Sequence, residues 1–173
     1  CCPFCRSLRQ NEIFANNMME LSYNSPSTVA PGIYPMLYAF FDDRGVLRQD
    51  PFRRQVDAAL GTQAAGVAIL GLGTEVSKLT FDERIDVLEV VAKRIDGRKP
   101  LLATVYGDTI TEQIEFSKRA IQSNASALML QPPSQKMDDA KLAGFFSEII
   151  SAVDCPVGIQ NAPEFLGFGL NNQ

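Results

Sequence analysis

The stretch Gly66-Val67-Ala68-Ile69-Leu70-Gly71-Leu72-Gly73-Thr74-Glu75 decides how the rest of the chain is read. Residues 67–70 are an apolar run of strand length, which predicts a short strand buried on both faces. It runs straight into a glycine turn over 71–75, and a helix with its own start signal follows at Thr80. In α/β proteins ligands bind at the carboxyl ends of parallel strands, so this turn is the first place to look for chemistry.

Downstream, Thr80-Phe81-Asp82-Glu83 has the pattern of a capping box. Phe81, Ile85, Leu88, Ala92 and Ile95 then predict the apolar face of a helix that ends near Gly97. Pro100 introduces a strand over 101–105, and Thr109-Ile110-Thr111-Glu112 is a second capping box, with Ile110, Ile114, Ser117 and Ile121 as the helical face. A strand over 127–130, a helix marked by Leu142, Phe145, Phe146, Ile149 and Val153, and a strand over 156–160 complete this side. Toward the N-terminus, 33–41 predicts a first strand, ended by the turn Asp42-Asp43-Arg44-Gly45. Asp50-Pro51 reads as a helix start, Asp as cap and Pro at the first helical position. Phe52, Val56, Ala59 and Leu60 form its apolar face, and Gly61 closes it.

The resulting order, βαβαβαβαβ, argues a parallel sheet covered by helices. A weak internal echo sharpens this. Ala65-Gly66-Val67 and Ala125-Ser126-Ala127 each lead into a strand, then a helix, then a strand opened by Pro100 or Pro156. That spacing of two βα units suits a (β/α)₈ TIM barrel better than a doubly wound sheet, and such a barrel takes about 250 residues. The expectation is therefore a TIM barrel truncated after about five strands, over residues 32–173. A dinucleotide fingerprint is excluded, because Gly71-Leu72-Gly73 would need a glycine at position 76 and Val76 stands there.

Residues 1–31 show no clear period and are expected to be an irregular extension, with Met18 or Met19 a candidate start. Cys2-Pro3-Phe4-Cys5 matches the CxxC of thioredoxin-like redox proteins. That chemistry needs a strand before the motif and a helix after it, and no strand can precede residue 2. The net charge of −4 and the lack of a basic run speak against nucleic acid as a partner. No apolar run is long enough to span a bilayer, and the cysteines at 1, 2, 5 and 155 form no disulfide framework, so a reducing cytoplasm is the expected compartment. The chain has no His, which removes His bases and His-ligated metals; no metal and no cofactor are expected.

Several of these segments together resemble the pyruvate-dependent class I aldolases typified by dihydrodipicolinate synthase and N-acetylneuraminate lyase. The likeness runs from about Gly32 to Leu170. It is carried by the opening strand with its Asp-rich turn, the 71–75 loop followed by Leu79-Thr80 and Glu83-Arg84, Gln131-Pro132-Pro133, and Gln160-Asn161-Ala162-Pro163. The resemblance implies a Schiff base between a lysine on the sixth barrel strand and a 2-keto acid such as pyruvate. It also implies a Gly-Thr-Thr-Gly-Glu loop for the substrate carboxylate, a tyrosine that shuttles protons, and a homo-oligomer. Three departures stand out. The last lysine is Lys141, ahead of the fifth strand, so the chain is expected to be an N-terminal fragment, inactive by itself. Leu72 and Gly73 replace the paired threonines, with Thr74 one position late. Gln160 occupies the tyrosine position, and Pro133 and Ser134 replace a further tyrosine pair.

The substrate-binding candidates are accordingly Gly71, Leu72, Gly73, Glu75 and Asn161, with Gln160 and Thr74 in the catalytic positions. Backbone N–H groups of a glycine turn can cradle an anion without side chains, although a tight turn for packing explains the same glycines. For Glu75 a loop-organising bond or a plain surface acid is expected. An amide cannot shuttle a proton in the accessible range, so Gln160 is expected to orient a carbonyl or hydroxyl. Tyr38 and Tyr106 are the candidate replacement phenols, each with packing as its ordinary explanation. Lys78 and Lys136 lie on loops at the same end and are candidate substitute amines, though loop lysines are normally solvated; Lys99, at the opposite end, is expected to be structural. Asp42-Asp43 and Asp138-Asp139 are expected to be turn and cap residues. A barrel of this fold that binds a small ligand without catalysis is the alternative.

Overall fold

The computed structural model describes residues 29–171. Cys2, Cys5, Met18, Met19 and the rest of the expected extension up to residue 28 lie outside the described residues. The elements are α1 Gln49–Leu60, β1 Val67–Ile69, α2 Phe81–Ile95, β2 Leu101–Val105, α3 Ile110–Gln122, β3 Ala127–Leu130, α4 Asp139–Ser151, β4 Val157–Ile159 and α5 Pro163–Leu166.

The four strands are parallel and lie in the order β1-β2-β3-β4. Crossovers between parallel strands are right-handed, so a sheet that grows in one direction places every crossover helix on one face. A doubly wound sheet must reverse direction to cover both faces. This is the arrangement of a barrel wall. Burial along the strands agrees: Val67, Ile69, Ala103, Val105, Leu128 and Leu130 alternate onto the helix-covered face and are all 0% exposed. Leu102, Met129 and Gly158 alternate onto the other face and are only half-buried.

The expected first strand over 33–41 does not form a ladder. Met36 makes a single parallel bridge with Ala68, Leu37 N–H donates to Ala68 O, and Ala68 N–H donates to Pro35 O. Pro35 has no N–H to give, so the ladder is interrupted there, and a single further bond, Ala65 N–H to Ile33 O, lies beyond it. Further on, Phe41 bridges Leu47 in antiparallel fashion around the Asp42 turn. β1 ends one residue earlier than expected because Leu70 takes a left-handed conformation, φ 61°.

The helices start and stop largely by local chemistry. Thr80 and Glu83 form the full capping box of α2, whereas Thr109 caps α3 without the reciprocal bond from Glu112. The Glu112 carboxylate is occupied elsewhere, by Arg84 and by the N–H of Asp108. α1 begins after Arg48, which makes no side-chain cap, so the expected Asp50 cap is not one; Asp50 sits in the first turn and pairs with Arg53 at 2.6 Å. Pro51 is accommodated in that turn because early helical N–H groups lack acceptors anyway.

Two buried faces are rotated from the apolar stripes. α2 buries Arg84, Val87, Leu88, Val91 and Ile95, with Phe81, Ile85 and Ala92 only partly covered. α3 buries Gln113, Phe116, Ser117 and Ala120, leaving Ile110, Ile114 and Ile121 partly covered. In α4, Leu142, Phe145, Phe146 and Ile149 are buried as the period predicts, while Val153 lies past the helix end.

Candidate functional site

The carboxyl ends of the strands form one rim. After β1 the chain makes two short 3₁₀ turns, Leu72–Thr74 and Val76–Lys78, joined at Glu75 with φ 55°. Leu70 and Glu75, both non-glycine residues in left-handed conformation, therefore bracket the glycine turn. Each such residue costs about 1–3 kcal/mol and persists only when surroundings hold it. What holds this loop is close packing on the first edge segment. A Cβ added at Gly71 would lie 2.3 Å from Met36 Cε, so the methionine's flexible end would have to move aside for any larger residue there. Gly71 N–H points to Met36 Sδ at 3.2 Å, and buried Thr74 donates its hydroxyl proton to Leu37 O at 2.5 Å.

Within the turn, Thr74 N–H bonds back to Gly71 O and Glu75 N–H to Leu72 O. The first N–H groups of a 3₁₀ turn have no acceptor inside it, which leaves Leu72 and Gly73 as the donors at the loop tip. Gly73 is exposed and Leu72 half-buried. Thr74, by contrast, has its single proton committed to Leu37. Glu75 is exposed and pairs with Lys78 at 2.7 Å. An exposed pair of this kind organises the surface of the loop and is worth little in stability. It also leaves Lys78 solvated, and Lys136 is exposed as well. Lys99 lies at the opposite end of the sheet and donates to the carbonyls of Ala59, Thr62 and Ala64, which closes the end of α1.

The other half of the rim is made of side chains. Arg84, 4% exposed, pairs with Glu112 at 2.5 Å and donates to Tyr106 O. Its guanidinium carbon stands 5.5 Å from the Phe81 ring centroid and 5.7 Å from that of Tyr106. Gln113 Nε2 donates to both Gly107 O, at 2.9 Å, and Gln131 O, at 3.0 Å. Gln131 Nε2 in turn donates to Gln160 Oε1 at 2.7 Å. Ser134 N–H donates to Asp108 Oδ1 at 2.8 Å, which holds the Asp108 carboxyl below its ordinary range. Burial, and then the charge of Asp108, pushes the Tyr106 phenol up, while its bond to Ser134 acts the other way.

Among the expected residues, the structure brings Tyr38 to the glycine turn: its ring Cε1 lies 3.5 Å from where a Gly73 Cβ would be. Tyr38 is 58% exposed, and Gln55 clamps its backbone through N–H and carbonyl. Tyr106 is instead engaged by Arg84 and Ser134. Both ends of the Asn161 amide are engaged by the Leu170 backbone, in two bonds of 2.9 Å. Asp42 accepts from Arg44 and Val46 N–H, and Asp138 caps α4 by accepting from Lys141 N–H; these bonds depress both carboxyls. Arg84 and Gln131 entered the sequence reading only as parts of the resembling segments, with no role, and Gln113 did not enter it at all. The signal available was a polar residue interrupting an apolar helical stripe, at Arg84 between Phe81 and Leu88 and at Gln113 beside Ile110 and Ile114.

Comparison with known proteins places this geometry. The model of the dihydrodipicolinate synthetase family matches residues 30–172. The 4-hydroxy-tetrahydrodipicolinate synthase of Pelobacter propionicus is 31% identical over 73% of this chain and 44% of its own length. The crystal structure of Escherichia coli YagE, a member of the dihydrodipicolinic acid synthase family in complex with pyruvate, superimposes with a TM-score of 0.74 at 28% identity, over 80% of this chain and 47% of that one. N-acetylneuraminate lyase from Mycoplasma synoviae superimposes with a TM-score of 0.71 at 25% identity, over 77% of this chain and 47% of that one. The chain spans about half the length of the curated relatives it matches.

Proposed function

Since the chain belongs to the dihydrodipicolinate synthetase family, we propose that residues 32–173 are the first five strand positions of a (β/α)₈ barrel and the N-terminal part of a Schiff-base-forming lyase. The substrate is a 2-keto acid such as pyruvate, and the lysine that condenses with it lies on a sixth strand C-terminal to residue 173. The intact protein is a cytoplasmic homo-oligomer that needs no cofactor, and among the described residues no helix is long and apolar enough to cross a membrane.

The observation that carries this reading is the one-directional parallel sheet, which gathers the 71–75 loop and Gln160 onto a single rim. On that rim the N–H groups of Leu72 and Gly73, presented from a turn that Gly71 allows and that Thr74 and Glu75 brace, hold the substrate carboxylate. This loop has lost its paired threonines but keeps a backbone cradle, so carboxylate binding survives. Gln160 orients the carbonyl-derived oxygen, and Asn161 supports the rim by holding Leu170. Proton transfer needs a phenol other than the one Gln160 replaces. Tyr38 stands nearer the cradle than Tyr106 and is the better placed of the two. Borohydride reduction of the uninterrupted gene product with pyruvate, read by intact mass, is expected to trap a covalent adduct on the sixth-strand lysine. Residues 1–173 alone are expected to give none. Absence of an adduct in the intact protein sinks the reading.

A second reading is favoured by one observation, the pairing of Gln160 with another amide rather than with a titratable group. The intact barrel then binds a 2-keto acid without turning it over. Pyruvate binding with no exchange of its methyl protons into deuterated water would select this reading over the first.

A further inference from the structure

Gln131 and Gln160 close the ends of neighbouring parallel strands, one residue beyond the last paired positions Leu130 and Ile159. Their backbones are fixed: Gln131 N–H donates to Val105 O and Gln160 N–H to Leu130 O. Gln131 is further constrained by Gln113, which donates to its carbonyl, and by Pro132 and Pro133, both buried, which restrict the chain as it leaves the strand. Gln131 itself is 1% exposed, whereas Gln160 is half-buried at the rim. An amide has one accepting and one donating end. Gln131 Nε2 engages the accepting end of Gln160 at 2.7 Å, so the donating end is the one left for another acceptor.

We infer that Gln131 is a positioning residue that holds Gln160 so as to present an N–H donor to the rim, selecting substrates with an acceptor oxygen, such as a keto or carboxylate oxygen, at that point. The inference rests on the 2-keto acid reading of the site. Gln131 touches no reacting atom in this scheme; it acts through Gln160 by removing the amide's choice of orientation. Without it the amide would rotate freely, and ordering it on binding would weaken substrate capture by about two- to tenfold. A carboxylate at position 131 would accept only, would draw Gln160 Nε2 inward, and would turn Gln160 Oε1 toward the substrate oxygen.

The test uses the uninterrupted gene product and the pyruvate concentration that gives half-maximal borohydride trapping. Gln131→Met, similar in length and without a donor, is expected to raise that concentration several-fold while saturating pyruvate still traps fully. Gln131→Glu is expected to raise it at least tenfold, with partial recovery at acid pH as the carboxyl regains a proton to donate. In a Gln160→Leu background, Gln131→Met is expected to add nothing, because a residue that acts only through Gln160 has no effect once that amide is gone. An equal further loss in that background, or half-saturation unchanged in Gln131→Met, overturns the inference while trapping itself stands. No trapping in the wild-type protein overturns this inference together with the reading beneath it.

Discussion

The two halves of the rim are built by different means. After β1, the glycine turn is shaped by backbone: Gly71 packs on Met36, Leu70 and Glu75 adopt left-handed conformations, and the donors offered at the tip are N–H groups of Leu72 and Gly73. After β2, β3 and β4, the rim is shaped by a chain of side chains from Arg84 through Gln113 and Gln131 to Gln160. The difference bears on what each half can lose. A cradle of N–H groups tolerates Leu72 and Gly73 where threonines would stand, since every residue but proline supplies the same donor. In a side-chain site each member's bond depends on its neighbour's chemistry, and here Gln160 is bonded to a second glutamine, Gln131.

The largest effect is expected at the root of the side-chain half. Arg84→Met keeps the aliphatic packing of the stem but leaves Glu112 without its cation and Tyr106 O without its donor. Removing one partner of a buried pair costs about 3–5 kcal/mol; Glu112 is 29% exposed, which places the expected loss near the lower end, about 3 kcal/mol. Urea unfolding of the intact protein measures it. Hydrogen exchange is expected to quicken at Gly107, Gln113 and Gln131 while the 71–75 loop is unmoved. Equal loosening of both halves would show that the rim is one unit.

What the sequence made legible follows the same division. The strands over 101–105 and 127–130 and the Thr80–Glu83 box read correctly, because an unbroken apolar run or a local reciprocal bond is decided within a few residues. The first strand misled because eight of its nine residues are compatible with a strand, while the ninth, Pro35, limits pairing at the sheet edge. The faces of α2 and α3 were read only in part: Leu88, Ile95 and Ser117 are buried as expected, but the faces are turned toward the residues that build the site. Arg84 and Gln113 look like solvent-facing positions until their partners are known, and those partners lie on other elements: Glu112 is 28 residues from Arg84, and Gln131 is 18 from Gln113. Periodicity reports burial of apolar groups and is silent on a polar group that is buried because it is bonded.

The backbone half is expected to respond more weakly. Thr74 supplies the main side-chain tie of that loop, through its hydroxyl to Leu37 O. Thr74→Val keeps the shape but leaves a buried carbonyl without this donor, at an expected cost of about 1–3 kcal/mol, whereas Thr74→Ser should recover most of it. Urea midpoints for the three proteins read the difference. Pyruvate trapping at saturation is expected to persist in Thr74→Val, because the donors at the tip are N–H groups. A loss of trapping that Ser rescues would instead make the hydroxyl part of the carboxylate site.

The smallest expected effect is one of pH, and it falls on the side-chain half alone. Asp108 is depressed below 3.8 chiefly by Ser134 N–H, so its charged form is favoured more in the folded than in the unfolded protein. Its contribution is therefore fully present above the unfolded value and is lost as pH falls through the lower folded value. Asp108→Asn keeps an acceptor for Ser134 but carries no charge. The variant is expected to be slightly less stable than wild type at neutral pH and to converge with it below about pH 4, as measured by urea unfolding across that range. A second reading comes from the phenol next to it. The charge of Asp108 helps hold the Tyr106 phenol up, after burial, so Asp108→Asn should lower the alkaline midpoint of Tyr106 without bringing it fully back to its ordinary value. If the acid limb is unchanged and the phenol still shifts, Asp108 acts on the rim through its charge alone, and the loop carrying Ser134 is held by its prolines rather than by this bond.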